Sequence, residues 1–287
     1  MTESVLKLKT IHSLREWRSR HQGRSIGFVP TMGALHEGHL SLIRQARQEN
    51  DLVVASIFVN PTQFGPNEDF SSYPRQLETD ARLLASAGCD VLFCPESDAV
   101  YPVGHATSVV VSGCDDDLCG KCRPGHFKGV TTVVAILFNL VGPDRAYFGS
   151  KDYQQLHVIK QMSCDLHLPV TVIGMPTIRE PDGLALSSRN RYLSESDRKQ
   201  ALALYNGLCA ARDARREGVC DADTLEQRAR AVLTSAGIDN IDYVSIRDAE
   251  TLKAWHSCDH DPVLLIAARV GSARLIDNMR LSLDEAR

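Results

Sequence analysis

The chain has 287 residues, of which 43% are hydrophobic and 24% are charged, and its formal net charge is -4. These values are typical of a globular protein that is long enough for two domains. The chain contains no run of Lys and Arg, which argues against a dedicated nucleic-acid surface, because such surfaces cluster basic residues.

The N-terminal segment contains no apolar run of signal-peptide length, and the longest apolar stretch, Thr132 to Val141, is too short to cross a bilayer. We therefore expect a cytoplasmic protein that does not bind membranes. We also expect its nine cysteines to be free thiols, because a chain of this size builds its own core and the compartment is reducing.

Apolar segments of strand length alternate with helical patterns through the first two thirds of the chain. The predicted strands are Ile26–Val29, Leu52–Phe58, Val91–Phe93, Ala146–Phe148 and Val170–Ile173. The predicted helices are His39–Glu49, Leu77–Gly88, Thr131–Val141 and Tyr153–Asp165. Such alternation is typical of a parallel sheet with crossover helices, so we predict a Rossmann-like α/β domain over residues 1–177.

The pattern changes after Ile178, where Glu180–Gly183 forms a turn-rich break. Two helices are predicted next, the first over Ser194–Gly218 with Ser194 as its N-cap and the second over Asp223–Ala236. Three short strands follow, at Ile241–Ile246, Val263–Ala268 and Ser272–Leu275. Residues 178–287 are thus predicted to form a smaller α+β domain.

The segment Val29–Leu40 places two histidines with a glycine between them where a predicted strand gives way to a predicted helix. Pro30 and Gly33 end the strand in a turn, so His36 and His39 lie at or just before the helix N-terminus. Backbone N–H groups and the helix dipole attract phosphate there, and two imidazoles can donate to polyphosphate oxygens. The pattern favours a nucleotide site, with a chance pairing of loop histidines and a zinc site as alternatives.

Three other segments carry polar groups that could act in the same site. Gln63 follows the second predicted strand, and its amide could hold the hydroxyl and carboxylate oxygens of a small substrate. Lys151, Asp152 and Gln155 lie where a strand end leads into a helix, and Ser187–Arg189 could wrap phosphate oxygens at the domain boundary. Taken singly, each is more typical of an ordinary surface loop or helix start than of a binding site.

Two clusters invite a metal interpretation that their spacing does not favour. Cys114, Cys119 and Cys122 lack a fourth ligand or a matching second pair, so we interpret them as loop thiols rather than a zinc or redox site. The run Asp115–Asp117 lacks paired ligands at the spacing a magnesium site needs, so a solvated loop is favoured.

In combination, these segments closely resemble the pantothenate synthetase family, the ATP-dependent pantoate–β-alanine ligases of the nucleotidylyltransferase superfamily. The resembling blocks stand in family order: Pro30–His39, Asn60–Phe64, Tyr73–Arg75, Arg123–Phe127, Lys151–Gln155 and Arg179–Asn190. The resemblance implies a two-step reaction. The pantoate carboxylate attacks the α-phosphorus of ATP to give pantoyl adenylate and pyrophosphate, and the β-alanine amine then attacks the activated carbonyl, releasing AMP and pantothenate.

The resemblance also implies which residues form the nucleotide site. His39 matches the family's proton donor, and His36, Lys151 and Arg189 join it as the catalytic, charge-neutralising groups. The implied ATP-binding residues are Met32, Gly33, Ala34, Leu35, His36, Glu37, Gly38, His39, Gly149, Ser150, Lys151, Asp152, Ile178, Leu186, Ser187, Ser188 and Arg189.

For the other substrates, the resemblance implies that Gln63 and Gln155 hold pantoate and that Gln63 also contacts β-alanine. Asp80 matches a family position on the second-substrate or magnesium side, whereas Mg²⁺ itself is expected to be held mainly by the ATP phosphates. The family resemblance further implies a homodimer, with residues 178–287 as a lid and dimer-associated domain.

The sequence departs from the family pattern at two positions. Ser150 stands where the family has Glu before Lys-Asp, and Ile136 replaces a usual Lys in the helix after the Arg123–Phe127 block. These departures keep open a regulatory protein that binds nucleotide without turnover. The histidine pair keeps open another small-molecule nucleotidylyltransferase of the same superfamily.

Overall fold

The computed structural model describes residues 4–66, 68–113, 116–256 and 260–282. In chain order up to residue 175 the elements are β1 (Leu6–Leu8), α1 (Ile11–Ser19), β2 (Ile26–Thr31), α2 (Glu37–Glu49), β3 (Leu52–Ile57), α3 (Leu77–Ser86), β4 (Val91–Phe93), α4 (Ser97–Val100), α5 (Cys119–Cys122), α6 (His126–Val141), β5 (Arg145–Gly149), α7 (Tyr153–Asp165) and β6 (Thr171–Met175). Short 3₁₀ turns cover Pro61–Gln63 and Ser150–Asp152. The predicted alternation of strands and helices is confirmed.

These strands form one parallel six-stranded sheet in the order β1-β4-β3-β2-β5-β6. Strand β2 lies between β3 and β5, so the strand order reverses beside it, and ligands of open α/β sheets bind at such a reversal beyond the carboxyl ends of the strands. The sheet is buried against its helices through side chains such as Ile43, Val53, Leu84 and Leu92. This packing gives the turns after β2, β3 and β5 a rigid base.

The remaining elements are α8 (Glu195–Arg216), α9 (Ala222–Ser235), β7 (Ile241–Asp248), β8 (Pro262–Val270) and β9 (Ala273–Arg280), with a 3₁₀ turn over Ser188–Tyr192. Ser194 caps α8, as predicted, by accepting a hydrogen bond from the backbone N–H of Asp197. The three strands form an antiparallel sheet in the order β7-β8-β9. Leu204, Leu208, Leu233 and Ile266 are among the side chains of its core.

Several boundaries differ from the sequence prediction. The helix predicted from Thr131 begins at His126, and the last strand runs to Arg280 rather than to Leu275. Strand β1 and helix α1 were not predicted, although Thr10 caps α1 in a reciprocal capping box with Ser13. The parallel sheet with crossover helices and the smaller α+β part, however, are confirmed.

Contacts divide the chain into two compact units. Unit 1 comprises residues 1–116, 123–150 and 158–176, and unit 2 comprises residues 117–122, 151–157 and 177–287. Unit 2 thus includes two segments that come before residue 177, and Tyr153 illustrates how one of them is held: its hydroxyl donates to the carbonyl oxygen of Ala249 at 2.8 Å. No helix in the described part of the chain combines the length and apolar character needed to cross a membrane.

Candidate active site

The two histidines form the N-terminal cap of α2 in unit 1. His36 is the N-cap residue, and its Nδ1 accepts from the Gly38 backbone N–H at 3.2 Å. His39 Nδ1 accepts from the His36 backbone N–H at 3.3 Å, and the ring centroids lie 4.1 Å apart. Because both Nδ1 atoms accept hydrogen bonds, the neutral tautomer carries its proton on Nε2. Each ring therefore offers an Nε2–H donor at a helix N-terminus, where anions bind.

The turn before this cap is held by a buried carboxylate. Asp80, on α3, is 1% exposed, and its oxygens accept from the backbone N–H groups of Ala34 and Leu35, each at 2.9 Å. The side-chain amide of Gln76 donates to the same carboxylate at 3.1 Å. Gly33, which precedes these two residues, has a φ of +83°, and a Cβ there would lie 3.1 Å from an Asp80 oxygen. The predicted ATP segment thus depends on Asp80 for its conformation.

The resemblance implies that Asp80 lies on the second-substrate or magnesium side, whereas its hydrogen bonds indicate a role in holding the turn. Both carboxylate oxygens already receive backbone N–H donors, which is the arrangement of a residue that positions a loop. Within the described ranges, no three His, Cys, Asp or Glu side chains are grouped so that they could hold a metal ion. The contacts of Asp80 support a positioning role.

Gln63 lies at the carboxyl end of β3, beside the ATP segment, as its place in the sequence predicts. Its Oε1 accepts from Asn60 Nδ2 at 3.1 Å, and its Nε2 donates to the Met32 sulfur at 3.1 Å. Asn60 also donates to the Gly129 carbonyl at 3.1 Å, and a Cβ on Gly129 would lie only 2.4 Å from the Thr62 carbonyl oxygen. A glycine at that position lets α6 approach the loop closely, which fixes the Gln63 amide next to Met32.

A second set of side chains supports the backbone of Gln63. His126 Nδ1 lies 2.8 Å from the Gln63 carbonyl oxygen, and Arg123 Nη1 lies 2.9 Å from His126 Nε2. Glu68 accepts from Arg123 through both carboxylate oxygens at 2.7 Å. Burial by itself would raise the pKa of Glu68. The hydrogen bonds and the charge of Arg123 outweigh this effect and bring the pKa down to about 2. This series, Glu68–Arg123–His126, is named the Gln63 support below.

The segment 151–157 belongs to unit 2 and contains the start of α7. Lys151 and Asp152 lie in the 3₁₀ turn that precedes this helix, with Lys151 Nζ 4.0 Å from the Asp152 carboxylate. Asn278 donates to the Lys151 carbonyl at 2.8 Å and so anchors the turn to β9. Gln155 is half-buried on the first turn of α7, whereas its neighbour Gln154 is buried and bonds the 117–122 segment. Gly149 and Ser150 lie just upstream, in unit 1.

Also in unit 2, the segment 178–189 folds back on itself. The Leu186 backbone N–H donates to the Ile178 carbonyl at 3.0 Å, so two predicted ATP-binding residues are direct neighbours. Ser187 caps the 3₁₀ turn by accepting from the Arg189 backbone N–H at 3.2 Å, which places Ser187, Ser188 and Arg189 on one tight turn. The structure therefore brings this predicted set together within the unit.

Sequence reasoning missed several supporting residues. The role of Asp80 was assigned differently, and the Gln63 support was absent from the predicted site. The Arg123–Phe127 block did carry a signal for that support, because it stands among the family-like blocks. Ile136, the departure in α6, is half-buried, and nothing in the structure explains the replacement of the usual Lys.

Comparison with known proteins gives a consistent result. The sequence profile described as Pantoate-beta-alanine ligase matches residues 6–280. A relative named pantothenate synthetase from Moorella thermoacetica is 52% identical over 280 residues, which covers 97% of this chain and 99% of the relative. Another of the same name, from Magnetococcus marinus, is 56% identical over 274 residues and covers 94% and 93% of the two chains.

Solved structures agree with the sequence matches. The pantothenate synthetase crystal structure from Thermus thermophilus superposes with a TM-score of 0.90 at 47% identity, covering 96% of this chain and 99% of the other. The pantoate-beta-alanine ligase from Francisella tularensis, complexed with beta-gamma ATP and beta-alanine, gives a TM-score of 0.80 at 37% identity and covers 97% and 98% of the chains. The chain described above belongs to the pantoate-β-alanine ligase family.

Proposed function

We infer that this chain is an enzyme that condenses pantoate with β-alanine, using ATP and releasing AMP and pyrophosphate through a pantoyl-adenylate intermediate. The observation that carries this inference is the match to pantothenate synthetases over nearly the whole chain. The histidine cap of α2, which is built to receive an anion, agrees with it. The relatives are named pantothenate synthetase and the matching family profile is named for the ligase, so both favour this function over another nucleotidylyltransferase.

We propose that adenylation depends on placement and charge rather than on a covalent enzyme intermediate. The pantoate carboxylate oxygen attacks the α-phosphorus of ATP in line with the departing pyrophosphate, a displacement in which the protein stabilises developing negative charge. The Nε2–H groups of His36 and His39 would donate to phosphate oxygens. Lys151 and Arg189 would supply positive charge, and the residues from Met32 to Leu35 would contribute backbone groups.

In the second step, the β-alanine amine attacks the acyl carbonyl, the bond to AMP breaks, and the amine loses a proton. We propose that the Gln63 and Gln155 amides hold the pantoyl group and that Gln63 also contacts β-alanine, because an amide can donate and accept at once. The contacts of Gln63 with Asn60 and Met32 support this, since they give its amide a fixed orientation.

Three further expectations belong to the proposal. Mg²⁺ would enter as part of the substrate, as the counter-ion of the ATP phosphates, and Asp80 would hold the turn rather than the metal. The protein would act in the cytoplasm as a homodimer, and the dimer is expected from the family resemblance alone. Sedimentation at several protein concentrations would test the dimer.

Exchange of labelled pyrophosphate into ATP tests the central proposal. Pantoate should support exchange without β-alanine, because the first half-reaction is reversible on its own. Absence of exchange in folded protein that binds ATP would instead support a regulatory nucleotide-binding protein. Exchange that requires a different acid or a phosphorylated substrate would favour another nucleotidylyltransferase.

A further inference from the structure

Two cysteines lie one helical turn apart in unit 2. Cys119 and Cys122 are the ends of α5, the Cys-Gly-Lys-Cys turn, and the Cys122 backbone N–H donates to the Leu118 carbonyl at 3.1 Å. In an α-helical turn, residues i and i+3 have Cα atoms about 5 Å apart. That separation lies inside the ~4.4–6.8 Å range that a disulfide spans. The helical backbone thus separates the two Cα atoms by a distance that a disulfide can span.

The two thiols differ in exposure and share one cationic neighbour. Cys119 is buried and Cys122 is exposed. Arg274 Nη2 donates to the Cys119 sulfur at 3.6 Å, and the same guanidinium acts electrostatically on the Cys122 thiol. The Tyr243 hydroxyl lies 3.0 Å from the Cys119 sulfur. The Arg274 guanidinium favours the thiolate form of Cys122, and the thiolate is the reactive species in disulfide exchange.

Other groups around the pair oppose the thiolate. Asp242 accepts from Arg274 Nε at 2.6 Å and so neutralises part of its charge. Partial burial raises the pKa of Cys122, the Asp242 carboxylate raises it further, and Arg274 counteracts both. Attack by Cys122 therefore proceeds through a minor thiolate fraction at neutral pH. The rate should rise about tenfold per pH unit below the pKa of this thiol.

Although their spacing in the sequence favours loop thiols, the structure leads to a different interpretation: we propose that Cys119 and Cys122 form a reversible dithiol–disulfide site that is oxidised by small-molecule disulfides. The exposed Cys122 thiolate attacks one sulfur of the disulfide, breaks its S–S bond, and releases one thiolate. The Cys119 thiolate then attacks the Cys122 sulfur of the mixed disulfide and expels the second thiolate. Two electrons pass from the cysteines to the small disulfide, and the two cysteine protons end on the released thiols.

The other exposed cysteines provide an internal control. Cys164 and Cys220 are exposed, but neither has a second cysteine within four residues in the sequence. The same reagent should therefore leave them as mixed disulfides. Cys114 and Cys258 lie outside the described residues, so variants of both have to be tested as competing partners.

The experiment exposes the reduced full-length chain to oxidised glutathione, alkylates the remaining thiols, and maps the cysteine peptides by mass spectrometry. We expect a Cys119–Cys122 bridge, marked by the loss of two hydrogen atoms and reversed by dithiothreitol, while Cys164 and Cys220 carry glutathione. In Cys119→Ser, whose hydroxyl can keep the contacts with Tyr243 and Arg274, glutathione should remain on Cys122. Circular dichroism checks that this variant folds.

A Cys114→Ser variant and a Cys258→Ser variant should each form the Cys119–Cys122 bridge at an unchanged rate. In the wild-type chain, the rate of bridge formation should rise about tenfold per pH unit below the pKa of Cys122. The proposal is overturned if Cys122 keeps its glutathione while Cys119 stays free in the wild-type chain. It is also overturned if Cys122 pairs with Cys114 or Cys258, or if Cys164 reacts while Cys122 does not.

Discussion

At the residue scale, His39 combines a structural contact with the proposed chemistry. Its Nδ1 caps the His36 backbone N–H, and its Nε2–H is proposed to meet phosphate. His39→Ala should lower pantoate-dependent pyrophosphate exchange by roughly 10²–10³-fold, the scale of losing one preorganised donor. The lost cap should cost about 1 kcal/mol of folding free energy. His12→Ala, at an exposed histidine of α1, is the matched control. Near wild-type exchange in His39→Ala would refute the proposed phosphate contact of His39.

Asp80→Asn distinguishes a positioning carboxylate from a metal ligand. In the wild type, two backbone N–H groups donate hydrogen bonds to the Asp80 carboxylate. In the variant, the amide nitrogen would face one of these N–H groups and could not accept from it. A buried donor would lose its partner, at a cost of about 1–3 kcal/mol. We expect a lower melting temperature and a higher KM for ATP, with unchanged Mg²⁺ half-saturation. Glu78→Gln, an exposed change on the same helix, should alter neither. A shifted Mg²⁺ requirement in Asp80→Asn would favour the metal ligand.

These two residues also show what the sequence could reveal about the site. His36 and His39 were identifiable because a strand end, a turn and a helix start follow one another in the chain. Asp80 lies 46 positions from Ala34, and His126 lies 63 positions from Gln63. A hydrogen bond between residues so far apart depends on the tertiary fold, so local patterns cannot predict it.

At the element scale, the Glu68–Arg123 pair should make the Gln63 support sensitive to acid. The pKa of Glu68 is about 2 in the folded chain and 4.5 in its ordinary state. A lowered pKa stabilises the fold above pH 4.5, and this contribution disappears as the pH falls from 4.5 towards 2.

Denaturant unfolding between pH 5.5 and about 3 measures this contribution. Wild-type protein should lose about 1–2 kcal/mol more stability over that interval than Glu68→Gln, whose side chain does not titrate. We place the value below the full effect of the pKa change because 23% of the Glu68 side chain is exposed. Equal losses in the two proteins would contradict the pairing.

Element boundaries were harder to predict than the elements themselves, for identifiable reasons. Pro124 and Gly125 made the start of α6 resemble a loop, although the helix begins directly after them at His126. In β9, Asp277 and Asn278 interrupt the apolar pattern and yet are buried. Asp277 is buried because Arg179 pairs with it, a contact that the sequence of the strand does not indicate.

At the scale of the whole molecule, the proposed nucleotide contacts are distributed over two units with separate cores. The proposed nucleotide-binding turns of unit 2 are both held by neighbouring residues of β9. Arg179, near the start of the 178–189 segment, donates to both oxygens of Asp277, at 2.6 and 2.9 Å. The next residue, Asn278, holds the Lys151 carbonyl. One region of β9 thus positions both the Lys151 turn and the Ser187–Arg189 turn.

Arg179→Gln should therefore act within unit 2. It leaves the Asp277 carboxylate, whose side chain is 2% exposed, without its cation, which typically costs about 3 kcal/mol or more. Amide hydrogen exchange in β7, β8 and β9 should accelerate by roughly 100-fold, while exchange in β2 and β3 stays unchanged, because stability is local to cooperative units.

The matched control for this measurement is Arg280→Gln, which removes a more exposed arginine, at the end of β9. Exposed ion pairs contribute at most about 1 kcal/mol, so its exchange profile should stay close to that of the wild type. Equal acceleration in β2 and β3 of Arg179→Gln would instead mean that the two units unfold as one. In that case a redesign of the Ser187–Arg189 turn would have to be judged against the stability of the entire chain.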